Sequence, residues 1–525
     1  MICLDFYLIP AGEPRIFSRC IAKASALPSC NFAHNYTAAD AHAVDNANCI
    51  KSLDNMGRAI HLSLAGNERG WLALRLAIYA AVVLALAATW GGAFPLDDAY
   101  ITLHNARVLL EGADPYYNTS ALTGATSGVH LALLALLGLA MPLPEALILL
   151  CATGGFAYLW GIDLLVRKMG VEGWKVPALV TIGFTAGTVP HVLMNGLETG
   201  IAMAAVAWLL VLADDRRLAL LAGLAPFIRP ELGLLAALLL LRQMRGLPWQ
   251  DSARRIAIAA LAATPWALWY LIELGTPIPN TIAAKAAFFN QSSWSISQRL
   301  VLLPITLITF NYLVLFLGLF GLPRARAGVA CLLFVIGFLI AATAVLPSAL
   351  SWNMGRYYSV IVPPFMVGIT ALANSRAGAI LVILIGAISF ASLDDNWKSL
   401  QYIRADYHAQ EIATKNTLAK IPPNSVVMVH DAGQVAWVRP HVTLIDLVGL
   451  KTPSSTLAHR RFTGASCYWG EALDFIANQH RVNYAIVIKS KFWECIVDGL
   501  TDEGWKVDEL KELEVRNYKI YIITK

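Results

Sequence analysis

The sequence predicts a polytopic α-helical membrane protein that carries a small α/β domain at its C-terminal end. Hydrophobic residues make up 57% of the 525 residues and charged residues only 14%, whereas a soluble chain is normally about a quarter charged. From residue 71 to residue 393, apolar runs long enough to cross a bilayer alternate with short basic loops. The basic residues are spread over these loops rather than gathered in one patch, which argues against a nucleic-acid partner.

The first 70 residues are expected to form a cytoplasmic tail. Residues 1–55 show no sustained periodicity and no signal-peptide architecture, and they hold half of the eight cysteines. Met56 is followed by several arginines, as is typical of the lead-in to a first span. Residues 1–55 are therefore expected to be either disordered or the result of a start codon placed too early. The cysteines of this segment are Cys3, Cys20, Cys30 and Cys49.

About 11 transmembrane helices are expected between residues 71 and 393. The run 218–241 has the polar sequence Arg229-Pro230-Glu231 at its centre, which favours a hairpin of two short helices over one crossing. The run Val129–Met141 is too short to span and is interpreted as re-entrant or interfacial. The other spans are predicted near residues 72–94, 145–166, 176–193, 198–213, 254–274, 300–321, 327–346, 357–373 and 377–393.

The distribution of basic residues predicts the orientation. Arginine and lysine cluster at alternate ends of the apolar runs, and such ends are normally cytoplasmic. The opposite ends, residues 97–130, 191–198, 275–298 and 347–356, should then face the periplasm or the exterior. This places the N-terminus inside and the C-terminal domain outside.

Two adjacent carboxylates, Asp97 and Asp98, follow the first predicted span. Pro95 ends that span, and the next residues have the pattern of a helix that stops at Gly112. Carboxylates at a helix N-terminus are favoured in the ionised form, so the pair could accept a proton from a hydroxyl group or hold a divalent metal. The alternative is that they only cap the helix. The predicted apolar face consists of Tyr100, Leu103, Ala106 and Leu110.

Further charged residues lie on the predicted outer side. Glu198 opens a span, where it could serve function or only favour the helix start. Arg229 and Glu231 at membrane depth must neutralise each other or face a polar cavity. Lys285 and Arg356 could each extend to the interface as anchors. Taken together with the aspartates, however, these cations suit recognition of a lipid-linked phosphate.

The segment 394–525 reads as an α/β domain because strand and helix patterns alternate. Its cysteines, Cys467 and Cys495, would lie in an oxidising compartment and could form a disulfide. His430 and Asp431 lie near a predicted strand end, where binding groups are common in such folds; a packing lid is the alternative. The strands are predicted at Val426–Val429, Thr443–Leu447, Tyr484–Ile488 and Lys519–Ile523, and the helices near Glu471–Gln479 and Lys491–Leu500.

Several functional classes are disfavoured by missing motifs. The chain has no CxxC, HExxH, Walker or GxGxxG motif, which argues against zinc chemistry, nucleotide hydrolysis and a nucleotide cofactor. A polytopic transporter or flippase for lipid-linked glycans remains the main alternative to an enzyme, although it would favour inverted repeats that are not evident. A non-catalytic scaffold would not require acids and bases on one face.

An ordered set of short motifs resembles a group of bacterial GT-C glycosyltransferases. The group is similar to the terminal arabinofuranosyltransferases of mycobacterial cell-wall arabinan and their relatives in other bacteria. The resemblance covers roughly residues 70 to 450 and rests on the set rather than on any one motif. The motifs are Leu96–Thr102 with Ala106–Arg107 and Glu111–Gly112, Gly196–Thr199, Arg229–Glu231, Pro279–Thr281 with Ala284–Lys285, Gly355–Tyr357, and His430–Gly433 with Ile445–Leu447 and Gly449–Leu450.

The resemblance implies a GT-C-like enzyme of the cell envelope. Such an enzyme transfers a sugar, arabinofuranose being one candidate, from a polyprenyl-phosphate donor to a glycan, lipid or protein hydroxyl outside the membrane, with inversion. Asp97 or Asp98 would be the general base or would bind a divalent metal such as Mg²⁺ or Mn²⁺. Lys285, Arg356 and Arg229 would bind the donor phosphate. The substrate-orienting residues would be Tyr100, Glu198, Glu231, Asn280, Tyr357, His430 and Asp431.

Overall fold

The computed structural model describes residues 70–289, 295–345, 347–373, 375–391, 393–463, 469–511 and 518–525. Residues 71–525 form one compact unit. The predictions made for the N-terminal tail, including residues 1–55, lie outside the described residues. Cys467 also lies outside them, whereas Cys495 is exposed on a helix of the C-terminal domain. The disulfide therefore stays a prediction.

The described part of the chain is dominated by apolar helices, which confirms the predicted class of a helical membrane protein. Within the described residues, four helices are long and apolar enough to cross a membrane, and several shorter apolar helices accompany them. The number of spans, about 11, stays a prediction. The long helices are α1 (Gly70–Ala88), α4 (Leu143–Lys168), α10 (Trp249–Leu274) and α13 (Gly328–Val345).

The remaining helices of this region are short. They are α2 (Asp97–Glu111), α3 (Gly128–Gly138), α5 (Lys175–Thr185), α6 (Val189–Leu193), α7 (Thr199–Val211), α8 (Leu218–Ile228), α9 (Leu232–Met244), α11 (Asn280–Phe289), α12 (Ile296–Thr309), α14 (Val362–Ala373) and α15 (Arg376–Ala391), with 3₁₀ segments at Leu313–Phe320, Leu322–Arg324 and Pro347–Ile361. As predicted, the run 218–241 consists of two helices, α8 and α9, separated by Arg229–Glu231.

Three predicted spans are not single α-helices. The run 300–321 contains α12 and the 3₁₀ segment Leu313–Phe320, with Asn311 at φ = 58° between them. The run 357–373 begins in the 3₁₀ segment Pro347–Ile361 and continues as α14. The run 176–193 was predicted as a single helix, but it contains α5 and α6 with a turn at Gly187 between them. Gly187 has φ = 54°, which favours glycine, and a Cβ there would lie 2.4 Å from the ring of Tyr312. The hydropathy pattern did not reveal this break because the turn itself is apolar.

The C-terminal domain contains a mixed five-stranded sheet with the order β2-β1-β3-β5-β4. Strand β1 pairs in parallel with β2 and β3, whereas β5 pairs in antiparallel fashion with β3 and β4. The elements are α16 (Leu393–Leu418), β1 (Val426–Val429), α17 (Gln434–Trp437), β2 (Thr443–Asp446), α18 (Pro453–Phe462), α19 (Gly470–His480), β3 (Tyr484–Ile488), α20 (Lys491–Asp502), β4 (Lys506–Glu509) and β5 (Tyr518–Thr524).

Buried polar bonds join α2 and the following loop to the C-terminal domain. The fully buried Lys451 donates from Nζ to Asn105 Oδ1 at 2.8 Å and lies 3.2 Å from Asp114 Oδ2. Burial by itself would raise the pKa of Asp114, but the hydrogen bond from His104 and the charge of Lys451 lower it. Removing one member would leave a buried charge unpaired, so this network fixes the domain against the loop.

Candidate active site

Helix α2 places both aspartates at its first turn. Leu96 precedes it in an extended conformation without a side-chain cap, and Gly112 ends it with φ = 83°. The predicted helix and its end are thus confirmed. Tyr100, Leu103 and Ala106 of the predicted apolar face are buried, but Leu110 is 39% exposed. The helix is oriented so that its N-terminus meets both the membrane helices and the C-terminal domain.

The Asp98 carboxylate is bound by two cations. Its Oδ2 accepts from Arg356 Nη2 at 2.7 Å and from Lys285 Nζ at 3.4 Å. Burial would raise the pKa of Asp98, but Lys285 and Arg356 lower it below its usual range, so the group is ionised. The side chains of Lys285 and Arg356 are only 15% and 7% exposed. They therefore do not extend outward as interfacial anchors.

The Asp97 carboxylate has different partners, both of them backbone amides. Its Oδ1 accepts from Gln434 N at 2.7 Å and its Oδ2 from Gly433 N at 2.9 Å, so Asp97 caps the short helix α17. Burial and the nearby Asp431 raise the pKa of Asp97, against the effect of these two hydrogen bonds. Asp97 thus links α2 to the C-terminal domain.

The surroundings of the two aspartates do not fit a shared metal site. Both carboxylate oxygens of Asp97 accept hydrogen bonds from backbone N–H groups. Asp98 is paired with two positive charges, which would repel a divalent ion. The described residues also contain no cluster of three or more His, Cys, Asp or Glu side chains able to hold a metal. Side chains rather than a metal ion are therefore the candidates for proton transfer and phosphate binding at Asp98.

Asp98, Lys285 and Arg356 line a small chamber. Glu198, predicted from the sequence, lines the same chamber, and so does His130, which the sequence analysis did not identify. His130 lies in an apolar run, so the hydropathy pattern did not distinguish it from core residues. A local signal was available in Ser127, which caps α3 by accepting a hydrogen bond from His130 N. The other lining residues are Ile101, Thr102, Gly124, Ala125, Thr126, Ser127, Leu131, Leu197, Thr281 and Leu450.

A larger groove shares Thr126, Thr281 and Lys285 with the chamber. Arg229, Glu231 and Tyr357 lie at its polar part. The rest is apolar and is formed by Leu234, Ile282, Gly337, Phe338, Ala341, Ala342 and Val345, together with Pro230. A cationic site thus continues directly into an apolar groove between membrane helices.

The cations of the groove are held by an acid and an aromatic ring. Arg229 Nη2 lies 2.5 Å from Glu231 Oε1, and Arg229 Nε lies 3.9 Å from Glu198 Oε1. The ring of Tyr357 lies between two guanidinium groups, 5.2 Å from that of Arg229 and 5.0 Å from that of Arg356. Both alternatives that the sequence left open are found together, since Arg229 and Glu231 pair with each other and also line the groove.

Four residues predicted to orient substrate line neither the chamber nor the groove. Tyr100 donates to Glu411 Oε2 at 3.1 Å and accepts from Phe94 N. Asn280 joins two loops, accepting from Gly124 N at 3.0 Å and donating to Leu450 O at 2.9 Å. His430 and Asp431 form a pair at 3.3 Å beside Trp493 and Tyr518. Their contacts are with the protein itself.

Comparison with known proteins shows a shared fold. Residues 400–521 match the family model described as Domain of unknown function (DUF8728). Two crystal structures of ArnT from Cupriavidus metallidurans are similar over 86% of this chain and 98% of theirs: one bound to undecaprenyl phosphate (13% identity, TM-score 0.54) and one in the apo state (12%, 0.52). The mycobacterial arabinofuranosyltransferase AftD is similar over 85% of this chain and 41% of its own (16%, 0.47).

No curated protein matches the chain in sequence. The likeness to ArnT shows that the chain has a GT-C-like membrane fold, as the sequence resemblance implied. A shared fold leaves the activity to be argued from the site.

Proposed function

We propose that the protein is a membrane glycosyltransferase that moves a sugar from a polyprenyl-phosphate donor to an acceptor hydroxyl outside the cytoplasmic membrane. The observation that carries the proposal is the meeting of three features at one place: the ionised Asp98, the cations Lys285 and Arg356, and an apolar groove that begins at Lys285. A base, an anion site and a lipid site are the parts that this reaction requires.

The cationic site is suited to the donor phosphate and the groove to its lipid chain. Arg356 can form parallel N–H bonds to phosphate oxygens, and Lys285 adds a mobile point charge. Arg229 lies further along the groove. The apolar lining would bury the isoprenoid chain, and each buried methylene group would contribute about 0.8 kcal/mol to binding. ArnT, which shares the fold, was crystallised with undecaprenyl phosphate.

The reaction can be written as one displacement at the anomeric carbon. The acceptor oxygen bonds to that carbon while its proton passes to Asp98. The bond from the anomeric carbon to the phosphate oxygen breaks, and polyprenyl phosphate leaves with its negative charge next to Lys285 and Arg356. Attack opposite to the departing phosphate inverts the configuration.

Donor binding would also activate the base. In the free protein, Lys285 and Arg356 both bind the Asp98 carboxylate. This pairing makes the carboxylate a weak base. A phosphate that competes for Lys285 and Arg356 would raise the pKa of Asp98 and free an oxygen for the acceptor. The donor is therefore expected to bind before the acceptor.

Arabinofuranose is our candidate sugar, and a cell-envelope glycan, lipid or protein is the candidate acceptor class. The support is the ordered motif set, since the site chemistry alone fits other neutral sugars. The arrangement of basic loops supports an extracytoplasmic site in the inner membrane, with the C-terminal domain on the same side.

The test is a transfer assay on purified protein in proteoliposomes. Polyprenyl-phosphoryl arabinofuranose and other polyprenyl-phosphoryl sugars are supplied with envelope extracts, and released polyprenyl phosphate is measured. Asp98→Asn should lower transfer at least 1000-fold while retaining donor binding, and Asp508→Asn, at an exposed carboxylate, should be active. Transfer by Asp98→Asn at the wild-type rate would contradict the proposal.

A further inference from the structure

The chamber contains a buried histidine whose hydrogen-bonding capacity is not used. His130 is 1% exposed and lines the chamber together with Asp98. Its Nε2 has no hydrogen-bond partner among the residues that the structure describes. Buried polar atoms are nearly always paired in native proteins, so an unpaired one in a cavity wall points to a missing ligand.

A carboxylate and a guanidinium group lie in the same chamber wall. Glu198 lines the same chamber, and its nearest cation atom, Arg229 Nε, is 3.9 Å away, beyond hydrogen-bond distance. Nη1 of Arg356, another lining residue, is buried without a partner in the described part of the chain. One wall of the chamber therefore offers an imidazole, a carboxylate and a guanidinium N–H group to whatever occupies it.

The remaining polar lining consists of hydroxyl groups. Thr102 Oγ1 donates to the Asp98 carbonyl at 3.3 Å, and Thr126 Oγ1 donates to Thr281 Oγ1 at 3.3 Å. Each of these oxygens retains acceptor capacity.

We infer that His130 and Glu198 form the subsite for the transferred sugar, and that this sugar carries no negative charge. The inference rests on the proposed function and specifies its donor. Ring hydroxyl groups donate to Glu198, and His130 bonds a further hydroxyl. A uronic acid is disfavoured, because its carboxylate would lie beside Glu198 and Asp98 while the donor phosphate occupies Lys285 and Arg356. His130 is thus a sugar-binding residue, and Lys285 and Arg356 remain with the phosphate.

Binding measurements can separate the sugar subsite from the phosphate site. The probes are bare polyprenyl phosphate, polyprenyl-phosphoryl arabinofuranose and a polyprenyl-phosphoryl uronic acid, each titrated into wild-type protein and His130→Leu. The variant should bind the arabinofuranosyl lipid about 10- to 100-fold more weakly, as expected for a lost buried hydrogen bond. Its affinity for bare polyprenyl phosphate should change less than about twofold. The wild type should bind the uronic acid lipid more weakly than the arabinofuranosyl lipid.

The controls address folding. His130→Gln keeps a donor and an acceptor near the Nε2 position and should recover part of the preference for the sugar-bearing lipid. His191→Leu removes an equally buried histidine that does not line the chamber and should keep the full preference. If His130→Leu does not accumulate, Glu198→Gln takes its place, with the same expected loss for the sugar-bearing lipid relative to the bare one.

Two outcomes overturn the inference: an equal loss of affinity for both arabinofuranosyl and bare lipid, or no loss for either. Both outcomes leave the proposed function intact as long as the wild type transfers sugar. Failure of the wild type to transfer any sugar from any polyprenyl-phosphate donor would refute the proposed function instead.

Discussion

Asp97 and Asp98 are neighbours in the sequence, yet their side chains serve different parts of the molecule. Asp98 faces the chamber and two cations, whereas Asp97 accepts the amides that begin α17. Successive residues of a helix point about 100° apart, so an adjacent pair reaches two different surfaces. The structure therefore favours Asp98 over Asp97 as the base, a choice that the sequence alone left open.

Asp97→Ala should destabilise the protein without removing the base. The change leaves two N–H groups of α17 without their acceptor, at an expected cost of about 1 to 3 kcal/mol. Thermal unfolding in detergent should show a lower midpoint, and Asp97→Asn, which keeps one acceptor, should lie between. Donor binding should be retained. An unchanged midpoint in Asp97→Ala would contradict the linking role.

Lys285→Gln should alter the pH dependence of transfer. Asp98 acts in its ionised form, so activity is lost as the pH falls through its pKa. Lys285 and Arg356 lower that pKa, and removal of one cation raises it. The acid limb of kcat/KM should therefore move to higher pH in Lys285→Gln. Lys420→Gln, at an exposed lysine, is the control. An acid limb that stays in place would show that Asp98 is not the titrating group.

The site residues that sequence reasoning found are those whose charge is out of place in an apolar chain. Asp98, Arg229, Lys285 and Arg356 stood out for that reason, and all four lie at the chamber or the groove. His130 was missed because a neutral side chain in an apolar helix resembles a core residue. Tyr100 and Asn280 belong to matching motifs, but their bonds with protein groups could be seen only in the structure.

At the scale of elements, strands with strong apolar patterns were predictable. β1 and β3 were predicted at their observed bounds because both are continuous apolar runs of a sheet interior. β4 has the sequence Lys-Val-Asp-Glu and is largely exposed, so it lacks that signal. Helix α16 was missed because its mixed polar composition shows little amphipathic pattern over 26 residues.

Gly433→Ala should weaken the contact between α2 and α17. A Cβ at this position would lie 2.2 Å from the Asp97 carbonyl oxygen and 2.5 Å from Ile101 N, both backbone atoms. Relief of that overlap requires the two elements to separate, which should lower the free energy of unfolding by about 1 to 3 kcal/mol. Limited proteolysis of the C-terminal domain should then become faster. Gly91→Ala, where no atom lies within 4 Å, is the control; equal proteolysis rates in both variants would contradict the close packing.

At the scale of the whole molecule, the proposal requires the chamber to open on the outer side of the membrane. Basic residues lie in the short loops at alternate ends of the apolar runs, and Arg167 and Lys168 in the last turn of α4 are an example. This asymmetry was available from the sequence because it depends on composition alone. The number of membrane crossings could not be predicted in this way, because many of the apolar helices are too short to cross a bilayer.

Single cysteines placed on the two sides should label differently in intact cells. Ile278→Cys and Lys420→Cys, at exposed positions near the chamber and in the C-terminal domain, should react with a membrane-impermeant thiol reagent. Glu172→Cys and Arg245→Cys, in the basic loops, should react only after permeabilisation. A variant lacking the native cysteines provides the background. The reverse pattern would place Asp98 in the cytoplasm and refute an extracytoplasmic reaction.

The hydrogen bond from Asn280 to the Leu450 carbonyl has a consequence for how such proteins diverge. Leu450 forms part of the chamber wall, although it belongs to the segment 400–521 that matches a separate family model. That segment cannot be exchanged between relatives as an independent module, because its loops complete a wall begun far upstream. A chimaera that receives a foreign C-terminal segment should become functional only when α2 and the loop that carries Gly124 are inherited with it.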